Sequence, residues 1–114
     1  MVQNSFKETD KQKHMHHSIK GVVCTSDWSK FRGLMFSKRK TLIFEFKEDT
    51  NVPLHMLFVF FPIDVLFLNE KKTVLEVKKN FMPFTFYSPK HKARYVVEIP
   101  SPTNIAVGDS VTFK

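Results

Sequence analysis

The chain predicts a mainly β fold, a small antiparallel β-barrel or sandwich-like domain of about seven strands with one short helix, and three observations carry that expectation. Apolar or alternating runs of strand length recur at 18–24, 41–46, 54–60, 63–68, 73–78, 93–99 and 111–113. Prolines and polar turn residues separate them. No regular alternation of strands with long helical patterns is present, which argues against a doubly wound sheet, and no internal repeat is visible.

Residues 18–24 form the first apolar stretch, and 26–32 then read as the helix. Ser26 or Asp27 can cap it, Trp28, Phe31 and Met35 recur at helical spacing, and Gly33 is a stop. Lys38-Arg39-Lys40 makes a polar turn before 41–46, where Leu42, Phe44 and Phe46 alternate with Thr41, Ile43 and Glu45. Residues 47–53 read as a loop with Asp49-Thr50-Asn51 as turn residues. The run 54–68 is apolar except for His55, Pro62 and Asp64, and because proline cannot donate to a central ladder, Pro62 divides it into two strands or bulges one. Its near-continuous apolarity implies burial on both faces. Asn69-Glu70-Lys71-Lys72 is a hairpin turn into 73–78, residues 81–89 are an aromatic loop bounded by prolines, and 93–99 place Tyr95, Val97 and Ile99 on one face. Gly108-Asp109 turns the chain into the last strand.

One compact domain over residues 18–114 follows from 114 residues with 42% hydrophobic and 14% aromatic content, preceded by a flexible polar tail over 1–17. Three glycines exclude a phosphate-cradling glycine loop, and neither a Ser-His-Asp spacing nor a Cys-His metal pattern stands out. The single Cys24 can form no internal bridge and reads as a buried, inert thiol. No apolar segment resembles a signal peptide or is long enough to span a bilayer as a helix, so a cytoplasmic protein without membrane partners is expected. The formal charge of +7 implies weak nonspecific attraction to polyanions. His14, His16 and His17 lie close together, but lack a carboxylate or cysteine at ligand spacing; no metal and no cofactor is assigned.

In order along the chain, Arg32-Gly33-Leu34-Met35, His55-Met56 with Pro62-Ile63-Asp64-Val65, Tyr95-Val96-Val97-Glu98-Ile99 and Gly108-Asp109 resemble the family called domain of unknown function 192, particularly its archaeal-looking members. The resemblance covers about residues 18–114 and implies a small β-barrel-like domain with no settled activity and no cofactor. Many bacterial members carry Trp-Met-Lys-Asn-Thr where this chain has His55-Met56-Leu57-Phe58-Val59. If that polar group binds a ligand in those relatives, this chain has replaced it with hydrophobic side chains. The Glu-x-x-x-Gly pattern is also altered here, since Ile99, Pro100 and Ser101 follow Glu98.

Two sets of residues are candidates for binding. Arg32, His55 and Asp64 are polar groups inside the matching motifs, and a histidine and a carboxylate gathered at one barrel end can hold a ligand. Their structural alternative is ordinary pairing: Arg32 with Asp64 or Glu98, His55 with a backbone carbonyl, and Asp109 capping its turn. Phe84, Tyr87, Lys92 and Arg94 form an aromatic and basic set suited to stacking or to an anionic ligand; the plainer reading has the rings close the barrel end. The expected function is a noncatalytic domain that binds a small ligand or a protein partner at one barrel end. A basic single-stranded nucleic-acid-binding barrel, and a small metal-dependent or hydrolase-like enzyme, are the alternatives.

Overall fold

The computed structural model of the protein describes residues 14–24, 40–53, 61–100 and 102–114. Among them are the strands β1 His16–Ile19, β2 Val22–Cys24, β3 Leu42–Thr50, β4 Ile63–Leu68, β5 Val74–Phe81, β6 Ala93–Ile99 and β7 Ser110–Phe113. Five form one sheet in the order β2-β3-β6-β4-β5, and β1 pairs with β7 in a second. The expected helix at 26–32 and strand at 54–60 lie outside the described residues.

The central position of β4 follows from its composition. All six of its residues are buried, as the apolar run requires. Val65 and Phe67 point to one face, against Leu42, Phe44 and Val96. Leu66 and Leu68 point to the other, against Ile43, Val74 and Val97. Two apolar layers thus share one sheet, and each fully buried Leu or Phe contributes about 1.5–3 kcal/mol. The second layer is covered by β1 and β7, through Ile19 and Val111, with the Tyr95 and Phe113 rings edge to face at 5.3 Å.

Asn69 builds the predicted β4–β5 turn. Its side-chain oxygen accepts the Lys71 amide at 2.9 Å and the Thr73 amide at 3.0 Å, and the Lys72 amide donates to its carbonyl at 2.9 Å. Lys72 takes a left-handed conformation, φ 63°, and its ammonium lies 5.6 and 5.2 Å from the Tyr95 and Phe113 ring centroids. That cation–π contact helps offset the cost of a non-glycine residue at positive φ.

Several expectations need correction. The sheets are open, with β2 and β5 at the edges of the larger one, so the described strands do not close into a barrel. The pairing is mixed, because β1 runs parallel to β7 and β2 parallel to β3. Residues 47–50, expected in a loop, continue β3 past a register irregularity between Glu45 and Thr50. The apolar stretch 18–24 divides at Lys20-Gly21, and β1 begins at His16, inside the segment read as polar tail. At Gly21 an added Cβ would stand 2.7 Å from the Thr41 carbonyl oxygen, so only glycine lets the chain pass β3 this closely.

Strand direction sets up the site. β4 is antiparallel to both β5 and β6, so β5 and β6 run the same way. Residues 82–92 must therefore carry the chain back along the sheet, from Phe81 opposite Ile63 to Ala93, just ahead of the Tyr95–Leu68 pair.

Candidate aromatic and basic surface

The 82–92 crossover is held down by one carboxylate. Glu76 is buried on β5 and pairs with Phe67 across the ladder, so its side chain rises on the face the crossover traverses. Its Oε1 accepts the Lys90 amide at 2.9 Å, the His91 amide at 3.0 Å and His91 Nδ1 at 2.8 Å. Its Oε2 accepts the Tyr87 hydroxyl. Burial alone would raise the Glu76 carboxyl, but the bonds from Tyr87, His91 and Lys90 outweigh it and hold the acid below its ordinary range. Burial, then the Glu76 bond and charge, push the Tyr87 phenol up to about 12. The Tyr87 ring packs 6.1 Å from Phe67 and carries the Lys78 ammonium 5.4 Å from its centroid. Farther along, Asn51 Nδ2 donates to the Pro89 carbonyl at 3.3 Å, fixing the crossover to the end of β3.

An anchored crossover leaves its outer side chains projecting. Phe84 is 83% exposed, Phe86 64% and Met82 45%. Phe84 also sits at φ 61°, a conformation that a bulky side chain adopts only when its surroundings dictate it. Lys90 and Lys92 are exposed on the same segment.

The structure distributes the sequence-derived candidates unevenly. Arg32 and His55 lie outside the described residues. Asp64 is buried at the start of β4, where it accepts the Asn80 amide at 2.9 Å, the Thr103 amide at 2.9 Å and Lys79 Nζ at 3.0 Å. Burial acts to raise Asp64, and these donors overcome it, so its carboxyl stays below the usual range. Among the described residues its ion-pair partner is Lys79, which also donates to the Thr103 carbonyl. Phe84 and Tyr87 share the crossover. Lys92 stands at its far end, beside Arg94, whose Nε lies 3.4 Å from Asp49 Oδ1. Asp64 pairs with Ile99, which packs on the second apolar layer, whereas Tyr87 packs on the first. Asp64 therefore faces away from the aromatic and basic set and does not join it.

Two polar groups outside that set of candidates carry more of the architecture. Asp109 accepts the Met15 amide at 3.0 Å, the Ala106 amide at 3.0 Å and His17 Nε2 at 2.8 Å. Burial opposes ionisation there, yet these donors bring the carboxyl down to about 2. Glu98 is the opposite case. It is 1% exposed, faces the same layer as its ladder neighbours Leu42 and Val65, and neither oxygen has a hydrogen-bond partner among the described residues. Burial pushes its carboxyl up to about 8. Burial and then the Glu98 charge push the Cys24 thiol up to about 11, which removes its nucleophilic character near neutral pH.

The histidines near the chain start are engaged with the β7 end. His16 contacts Ser110 Oγ at 2.7 Å and Thr112 Oγ1 at 2.6 Å, and His14 Nδ1 lies 3.9 Å from Asp109 Oδ1. Among the described residues no group of three or more His, Cys, Asp or Glu is placed to hold a metal ion, and no helix is long and apolar enough to cross a membrane.

The family model DUF192, described as uncharacterized ACR, matches residues 8–113. A UPF0127 protein of Thermococcus sibiricus is 33% identical over 100 residues, covering 81% of this chain and 64% of its own length. The chain therefore spans less than two thirds of that relative. A UPF0127 protein of Pyrococcus furiosus is 41% identical over 87 residues, covering 70% of this chain and 74% of its own. Two crystal structures share the fold at 20% identity. One, from Sinorhizobium meliloti, has a TM-score of 0.64 and covers 77% of this chain and 76% of that one. The other, a protein of unknown function from Novosphingobium aromaticivorans, has a TM-score of 0.57 and covers 68% and 60%.

Proposed function

We propose, from the premise that this chain belongs to the DUF192 family, that it is a noncatalytic binding domain whose contact surface is the 82–92 crossover. The observation that carries this reading is the Glu76 anchor. A loop tied down through Tyr87, Lys90 and His91 displays Phe84 and Phe86 to solvent on a fixed base. Exposed rings on a preorganised loop lose little entropy on binding, which favours recognition. Lys90 and Lys92, exposed farther along the same segment, favour an anionic partner.

The carboxylates support a noncatalytic role. Asp64, Glu76 and Asp109 each spend their oxygens on donors within the fold, which leaves them poor general bases. The Cys24 thiol is buried and raised.

The test is an amide-shift titration of nitrogen-15-labelled protein with two anionic probes that carry aromatic groups, a Glu- and Trp-containing peptide and a short oligonucleotide. Shifts concentrated in 82–92 are expected with one of them. Shifts confined to other segments, or none with either probe, overturn the reading.

A further inference from the structure

The crossover carries its contact groups from the Ile63 end of β4 to its Leu68 end, and the length of that path selects among partners. It returns along the whole of β4, six residues, or roughly 20 Å at ~3.3 Å per residue. Phe84 and Phe86 stand in its first half, Tyr87 with Lys78 above it lies over Phe67, and Lys90 and Lys92 close the far end. A small ligand covers one part of such a row. A linear polymer covers all of it.

We propose, resting on the binding surface argued above, that the crossover takes single-stranded nucleic acid, with bases stacked on Phe84 and Phe86 and phosphates set against Lys90 and Lys92. The order of groups matches that polymer, because a nucleic-acid strand offers flat π-faces and negative charges in regular succession. An acidic peptide supplies the charge without a flat group at each step. The chain's excess of 18 basic over 11 acidic side chains supplies attraction at a distance. Recognition is tolerant of sequence: Arg94, a side chain suited to reading base edges, is turned to Asp49 instead, and stacking on phenylalanine does not discriminate strongly among bases.

Fluorescence anisotropy with labelled single-stranded RNA and DNA of about twelve nucleotides tests this, at about 50 and about 200 mM salt. Phe84→Ala with Phe86→Ala is expected to weaken binding by at least about tenfold. Lys90→Gln with Lys92→Gln is expected to flatten the dependence of log affinity on log salt by roughly 1.4, about 0.7 for each phosphate left without its lysine. All four side chains are exposed, and unchanged thermal unfolding of both variants verifies that the fold is kept. No binding at low salt overturns the proposal. So does binding that the phenylalanine variant leaves intact, since it is then only general charge attraction. If the acidic peptide shifts the 82–92 amides and the oligonucleotides do not, the nucleic-acid assignment falls while the binding surface stands. If neither probe shifts them, both fall.

Discussion

His17 Nε2 and Asp109 Oδ2 meet at 2.8 Å across 92 positions of sequence, and this contact joins β1 to the turn that precedes β7. The same carboxylate takes the Met15 and Ala106 amides. One side chain therefore closes the turn and secures the N-terminal strand.

Acid should release that closure. The Asp109 carboxyl is lowered from 3.8 to about 2 in the folded protein, so the unfolded chain takes up a proton first as pH falls. The stability it contributes is complete above about 4 and is lost between about 4 and about 2. Asp109→Asn is expected to lower stability at neutral pH by about 1–3 kcal/mol and to reduce the acid sensitivity, measured by urea unfolding at stepped pH.

Glu98 predicts the reverse slope. Its carboxyl rises from 4.5 to about 8 on folding, so the folded state keeps a proton that the unfolded chain gives up. Its most favourable condition is below about 4.5; stability falls as pH rises to about 8 and then levels. The fall is on the order of 3–5 kcal/mol. Glu98→Gln cannot ionise, so it should lose the slope and be more stable than the parent protein at pH 8 and above. A parallel pH dependence in the two proteins would refute this account.

Removing the crossover's anchor should loosen it selectively. Glu76→Ala leaves the Lys90 and His91 amides and the Tyr87 hydroxyl without their acceptor, a loss of about 1–3 kcal/mol. Hydrogen exchange should accelerate most at the Lys90 and His91 amides. Equal acceleration at the β4 amides would mean that Glu76 supports the whole sheet rather than this segment.

Cys24 offers a probe of opening. The thiol is fully buried and donates to the Val22 carbonyl at 3.7 Å, so labelling by a soluble disulfide reagent should be slow in native protein and accelerate with denaturant as the sheet opens. Rapid stoichiometric labelling under native conditions would show that the β2 edge opens on its own.

Much of the larger sheet was legible because its signals are local. An apolar run bounded by Pro62 and Asn69 specifies β4 as a strand buried on both faces, and the Asn69 turn needs only its own neighbours. β1 gave little warning, since Ile19 alone among its residues is buried and its partner lies at the other end of the chain. Residues 47–50 are charged or polar and largely exposed, so hydropathy marks a loop where the ladder continues. Glu76 was the larger omission from the candidate site. Alternating with Leu75 and Val77, it reads as a solvent-facing charge, and only the path of residues 87–91 above it turns it into an anchor. Phe84, Tyr87 and Lys92 could be found from composition, whereas Asp64 is separated from them by the sheet, facing the second layer with Ile99 while Tyr87 packs on the first. Which face the crossover covers is encoded by no local pattern.

The parallel pairing of β1 with β7 imposes an order on synthesis. His16 pairs with Ser110 and Ile19 with Phe113, so a chain emerging from the ribosome exposes β1 without its partner until β2 through β6 have all been translated. The β4–β5 hairpin needs only neighbouring residues and can form early, while closure of a loop more than ninety residues long waits for β7. Of these seven strands the first to be made is thus the last to dock, and Ile19 stays accessible to chaperones for the longest part of translation.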